Sequence, residues 1–362
     1  MSAYICSVGL GIPNHSIKQS NVKNIVKEIF QSYSERELER LLTVFDHAEI
    51  EERQFVVNED WFLKQHRFEE KNEEYVNSAQ QYSLLAIDQC LNNSDFLKER
   101  IPYEDIDLIV YVSSTGISTP SMEVHLMNRR PFREDVKRMP LWGLGCGGGA
   151  IGLSHIFHWL QANPNSKVLL ICCELCSLTF QKDDMRKSNL VGTALFGDGV
   201  AAALLTNDES VYRQAMRPIP NITETSSKTK KNSEHIMGWN VTDNGFEVVF
   251  SKSIPAQVKT VWKDHIKSFL ENTNVAQEDI YSFIAHPGGK KVLEAMEETL
   301  SISRSKIYHS HEVLRRHGNM SSATVLYVLN EWMKETVPKQ TKSIISALGP
   351  GFSSELLMID WE

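Results

Sequence analysis

Long apolar runs are missing from this 362-residue chain. None approaches the roughly 18–20 residues that a bilayer-spanning helix needs. The opening segment MSAYICSVGLGIPNH has no basic stretch followed by an apolar core, so no secretory signal is expected. A basic excess is missing too. The formal net charge is −8, and an acidic surface lacks the footprint that a phosphate backbone requires, which argues against a nucleic-acid partner. Anionic small molecules stay possible, because they need only a local cluster of Lys or Arg. No second CxxC accompanies Cys173-x-x-Cys176, so the ligand spacing of a zinc site is absent and no metal is expected. Cys6, Cys90, Cys146, Cys172, Cys173 and Cys176 are scattered through a large chain, which reads as reduced thiols and a cytoplasmic protein rather than a disulfide framework. Internal repeats and long low-complexity stretches are also absent.

What is present suits one large α/β enzyme or two fused halves. Hydrophobic residues at 41 % and charged residues at 23 % allow a sizeable core and argue against disorder. Apolar runs of strand length recur at Leu108–Val112, Val168–Ile171, Val200–Leu205, Phe283–Ala285, Ile344–Ile345 and Leu356–Ile359. Short continuous runs of this kind are expected as strands covered on both faces. Helical spacing lies between them. Val76, Ala79, Leu84, Ile87 and Leu91 predict one long helix. Leu153, Ile156, Phe157 and Leu160 predict a second, stopped by Asn163-Pro164. Val325 to Leu329 predict a third. Strands alternating with helices give an α/β layered fold. The polar segment Thr223–Glu234 is the best candidate boundary between halves, with a mobile surface loop as its alternative.

Three residues stand out for chemistry. Cys146 lies in Pro140–Ala150 (PLWGLGCGGGA), just before the second helix. The glycines permit a tight turn and close ligand approach, and a helix N-terminus favours thiolate. Taken alone, Cys146 is also readable as a small buried residue. The same stretch fits a dinucleotide fingerprint, Gly143-x-Gly145-x-x-Gly148, with Glu174 ending the next strand. Against that reading, Arg138-Met139-Pro140 makes a poor central strand. His286 ends a strand-like run before Pro287-Gly288 and is placed either to face a cleft or to shape a turn. Asn319, in HGNMSSA, precedes a helix, where a capping role is the plain alternative.

Taken together, WGLGCGGG around Cys146, SNLVGTALFGDG around Phe196, IAHPGG around His286, HGNMSSA around Asn319 and ALGPGFSSE around Pro350 closely resemble the type III polyketide synthases, the chalcone synthase superfamily. The likeness covers essentially the whole chain and is nearest to Bacillus-type alkylpyrone synthases. It implies a thiolase-like αβαβα sandwich of two similar halves, residues 1–215 carrying the nucleophile and 216–362 the histidine and asparagine. It also implies a homodimer with a separate active site in each subunit. The implied catalytic set is Cys146, His286 and Asn319. The implied substrates are acyl-CoA and malonyl-CoA, with no cofactor. Phe196, followed by Gly197, matches the aromatic gatekeeper, and Thr115, Thr119, Cys176, Thr179, Ser321 and the Pro350-Gly351 turn match cavity positions.

Departures from the family pattern carry information. Val248 stands where plant enzymes place a second gatekeeper phenylalanine, and Thr119 where they carry methionine. Both suggest a more open cavity and so a medium or long aliphatic starter, while an alkylpyrone-type product is what the Bacillus-type likeness implies. The three basic CoA positions become Arg40, Thr43 and His47, and only Arg40 is permanently charged. A ketoacyl-ACP synthase III-type single condensation, or a non-catalytic thiolase-fold lipid-binding subunit, are the alternatives to weigh.

Overall fold

The computed structural model describes residues 2–362. Its strands are β1 (Ala3–Gly11), β2 (His15–Lys18), β3 (Glu52–Phe55), β4 (Leu108–Ser113), β5 (Lys137–Trp142), β6 (Lys167–Leu175), β7 (Asp198–Thr206), β8 (Pro220–Thr229), β9 (Met237–Thr242), β10 (Gly245–Phe250), β11 (Ile280–Ala285), β12 (Lys342–Gly349) and β13 (Ser353–Trp361). Nine of them join in one mixed sheet, ordered β11-β12-β13-β8-β1-β7-β6-β4-β5.

The two halves repeat one pairing scheme. From β1 outward, β7 and β6 are added antiparallel and β4 parallel. From β8 outward, β13 and β12 are added antiparallel and β11 parallel. The half-sheets join through the pairs Ala3–Ile222 and Tyr4–Asn221. Helices Gly148–Ala162 and Thr324–Lys334 each pack on strands of both halves and on each other, so they form the middle layer. Helix Phe68–Leu91 covers β1 and β7 on one outer side, and Lys263–Thr273 lies on β8 and β13 on the other. The result is the thiolase-like αβαβα sandwich.

Composition explains the layering. All nine residues of β7 (DGVAAALLT) are buried, as a strand covered on both faces should be. From Thr324 to Asn330 the third helix has no exposed face, and a helix apolar all round must lie inside. Each fully buried Leu, Ile or Val there contributes roughly 1.5–3 kcal/mol.

One local reading changes and another holds. Thr223–Glu234 is not a boundary loop through most of its length, because β8 runs to Thr229 and pairs along β13. Its polar side chains find polar partners instead of a core: Ser226 Oγ lies 3.0 Å from His265 Nε2, and Thr225 Oγ1 lies 3.0 Å from His158 Nε2. Context of this kind overrides strand propensity. Arg138-Met139-Pro140 does form a strand, β5, but at the sheet edge, where a proline removes no second ladder.

Candidate active site

Three turns, each at the end of a core element, carry the three residues. Cys146 sits in the single 3-10 turn Gly145–Gly147 that opens helix Gly148–Ala162. His286 follows β11, and its backbone N–H donates to Ser346 O at 2.8 Å, continuing the β11–β12 ladder. Asn319 lies between helix Tyr308–His317 and the turn Ser321–Ala323 that leads into the middle-layer helix. All three side chains are buried.

Asn319 is held on every side. Its N–H donates to Leu195 O at 2.8 Å, and its carbonyl accepts from Gly197 N at 3.0 Å, which makes a parallel bridge to Phe196. Ser321 N donates to Oδ1 at 2.8 Å, and this settles which way the carboxamide faces. Nδ2 then donates to Gly288 O at 3.3 Å and points at Cys146 Sγ, 3.9 Å away. Sγ in turn lies 3.8 Å from Oδ1. Gly288, the residue that Asn319 grips, is two positions past His286. Both ring nitrogens of His286 are buried and without a hydrogen-bond partner, so they are free for a substrate or for the thiol.

Burial dominates the electrostatics. With His286 neutral, desolvation pushes the Cys146 thiol up to about 11, opposed by Ser321 and Asn319. The helix dipole is worth typically 0.3–1 kcal/mol, less than one pKa unit at ~1.4 kcal/mol per unit. It is therefore outweighed, and the expected thiolate does not arise from the helix end alone. Burial likewise pulls the His286 imidazole down to about 3.

An aromatic cluster around Phe196 lies next to Asn319. Phe196 follows helix Lys187–Leu195, its ring 6.1 Å from those of Trp239 and Phe250. Val248 on β10 faces Trp239 on β9. Phe196, Val248, Cys176 and Thr179 line one cavity of about 40 Å³. Pro350 packs against Gly145, so the Gly349–Gly351 turn backs the nucleophile turn.

Residues 1–209 match the N-terminal domain model of the chalcone and stilbene synthases, and residues 222–360 match the C-terminal domain model. The chain belongs to the chalcone and stilbene synthase family. It is 44 % identical over 362 residues to a putative chalcone synthase of Bacillus subtilis (strain 168), covering 99 % of each chain. It is 38 % identical over 258 residues to a 1,3,6,8-tetrahydroxynaphthalene synthase of Streptomyces peucetius subsp. caesius, covering 71 % of this chain and 68 % of the relative. The fold matches the crystal structure of 1,3,6,8-tetrahydroxynaphthalene synthase from Streptomyces coelicolor A3(2), with TM-score 0.90, 23 % identity and 99 % of each chain covered. This type III polyketide synthase is therefore an acyltransferase. Among its described residues no helix is long and apolar enough to cross a membrane.

Other expected site residues fall into two groups. Thr115 is buried and donates to Glu174 Oε2 at 3.1 Å. Thr119 is exposed beside Pro120 and, on this chain, is not among the residues lining the cavity. Arg40 and Thr43 on helix Glu35–Asp46, and His47 that caps it, are exposed and lie outside the buried set.

Sequence reasoning missed several residues. Trp239 and Phe250 belong to the β9–β10 hairpin, whose two-residue Asp243-Asn244 turn, followed by Gly245, is the available signal. Glu174 entered only as the residue that ends the strand after the dinucleotide-like fingerprint. It is instead fully buried, accepting from Ser114 N at 3.0 Å, Thr115 Oγ1 and Ser322 Oγ, the last at 2.6 Å. Burial pushes its carboxyl up to about 7. A carboxyl raised in the folded state binds its proton more tightly there, so stability falls as pH rises from the unfolded value toward 7. Glu174→Gln keeps the hydrogen bonds, because the Ser322 hydroxyl can reverse. The variant is expected to flatten that fall, read as the difference in melting temperature between pH 5 and pH 8. An unchanged difference would mean that Glu174 does not titrate there.

Proposed function

We propose that this enzyme condenses an acyl-CoA starter with malonyl-CoA by decarboxylative Claisen condensation and cyclises the product to an alkylpyrone. The observation that carries the reading is the contact of Cys146 Sγ with the Asn319 carboxamide, which also holds Gly288, two residues past His286, whose buried imidazole has both nitrogens without a partner.

Cys146 Sγ attacks the starter thioester while its proton passes to His286. The CoA thiolate leaves with that proton, and the acyl group rests on sulfur. Malonyl-CoA then loses CO2. The electron pair of the broken C–C bond forms an enolate whose charge collects on the thioester oxygen. His286 and the Asn319 Nδ2 donor stabilise that oxygen. The enolate carbon attacks the acyl-Cys146 carbonyl, the Cys146 thiolate leaves, and a β-ketoacyl-CoA results. After further rounds an enol oxygen attacks the thioester carbonyl, which expels CoA and closes the pyrone.

Incubation with malonyl-CoA and a panel of acyl-CoA starters, without any carrier protein, tests the reading by mass spectrometry. Pyrones with long alkyl chains are expected. A strict requirement for carrier-bound malonate would move the enzyme to the single-condensation alternative.

Val248 supports the aliphatic starter, since valine removes an aromatic wall from a gate that already holds Phe196, Trp239 and Phe250. Val248→Phe is expected to shorten the preferred starter, measured as a shift of kcat/KM across the acyl-CoA panel. An unmoved preference would count against that role. Arg40 and His47 are proposed for the CoA phosphates, and a cytoplasmic homodimer for the assembly, on the family likeness.

A further inference from the structure

Arg53 on β3 is fully buried. A charge this deep is costly unless hydrogen bonds replace its water, and it usually faces a carboxylate. Here the guanidinium binds carbonyls. Nη1 donates to Thr193 O at 2.6 Å and to Phe196 O at 2.7 Å, and Nη2 donates to Gln19 Oε1 at 2.6 Å. Nε has no partner. Asp198 acts on Arg53 only through its field. That carboxylate accepts from Val56 N at 2.9 Å and, at 2.7 and 2.5 Å, from Ser177 N and Oγ. Arg53 is thus committed to the backbone of the gate segment.

The segment it grips is the one that registers Asn319. Phe196 and Asn319 are bridge partners, and the Leu195 and Gly197 backbones hold the Asn319 backbone from both sides. The stem of Arg53 also fills the space against the two chains. A Cβ on Gly318, where φ is +69°, would meet Arg53 Cδ at 2.7 Å and Leu195 O at 2.8 Å. A Cβ on Gly197 would meet His317 O at 2.4 Å. Two backbones this close have one register, and a planar guanidinium reaching two carbonyls locks it.

We infer that Arg53 is a positioning residue: by holding the Thr193 and Phe196 carbonyls it sets the register of Leu195–Gly197 against Asn319, and with it the aim of the Asn319 carboxamide. The inference rests on the function proposed above. The step that depends on it is enolate stabilisation, not the loading of Cys146.

The test compares Arg53→Met and Arg53→Lys with wild type in the full chain. Three quantities are read: the folded fraction by circular dichroism, single-turnover acylation of Cys146 by an acyl-CoA under mass spectrometry, and CO2 release from malonyl-CoA. Arg53→Met is expected to slow CO2 release per folded molecule by on the order of a hundredfold, the scale of a lost oxyanion donor. Its acylation rate is expected to stay within about threefold, because the nucleophile is untouched. Arg53→Lys, able to satisfy one carbonyl, is expected to recover part of the loss. Should Arg53→Met not fold, the ratio of the two rates in Arg53→Lys decides. The inference is overturned if the two rates fall in equal proportion or if neither falls. Wild-type enzyme that releases no CO2 from malonyl-CoA would instead overturn the function on which the inference rests.

Discussion

Cys146→Ala is expected to abolish product formation, by on the order of 10⁴-fold or more, and yet to leave CO2 release from malonyl-CoA running. Without sulfur there is no atom to hold the starter acyl group, so the carbon–carbon bond has no electrophile. Decarboxylation asks for something else. It needs donors aimed at the thioester oxygen, and in the proposed mechanism those are His286 and Asn319. The substitution leaves the Asn319 carboxamide anchored, because Ser321 N and Gly288 O hold it independently of the thiol. Radiolabelled CO2 release and pyrone yield, measured in the same reaction, separate the two steps. Pyrone formation at near wild-type rate in the alanine variant would show that Cys146 is not the acyl carrier.

Removing the imidazole has a different signature. In His286→Ala the thiol has no base, and burial, only partly opposed by Ser321 and Asn319, holds it up at about 11. Such a thiol is only about one part in ten thousand thiolate at pH 7. The His286 ring, pulled down to about 3 by its own burial, is equally reluctant to charge alone. In the proposed mechanism the two groups exchange a proton and stabilise each other as an ion pair, which neither achieves singly. Iodoacetamide alkylation of Cys146 is therefore expected to fall by a hundredfold or more at pH 7 in His286→Ala, on the order of the lost thiolate. The remaining rate should climb about tenfold per pH unit toward the raised thiol value, since thiolate is the reactive form above the pKa. Wild-type reactivity should change little from pH 6 to pH 9. Superimposable pH profiles for the two proteins would rule out any hold of His286 on the sulfur.

The buried elements were the easiest to read from sequence. β4, β6, β7, β11, β12 and β13 each contain an apolar run that was expected as a covered strand, and the three periodic segments became Phe68–Leu91, Gly148–Ala162 and Thr324–Lys334. Burial on both faces writes itself into sequence as uninterrupted hydrophobicity. β8 was illegible for the opposite reason. Its ladder uses backbone groups, and its side chains pair with polar partners such as His265 and His158, so it looks like a loop. The β9–β10 hairpin, with Trp239 and Phe250, passed unread between two polar stretches. Arg53 offered no signal at all, because an arginine beside glutamates in a polar run looks solvated until its burial is known.

By itself the sequence determined which residue types were available for acyl transfer, and in what local settings: a cysteine at a helix start, a histidine at a strand end, an asparagine before a helix. Such settings depend on neighbours a few residues away, so they are written locally. Only the tertiary structure decided that the Asn319 carboxamide meets Cys146 Sγ, that burial outweighs the helix dipole at the thiol, and that Arg53 reaches across from β3 to the Phe196 carbonyl. Desolvation and close approach depend on atoms from chain segments more than a hundred residues apart, and linear spacing carries no information about that distance.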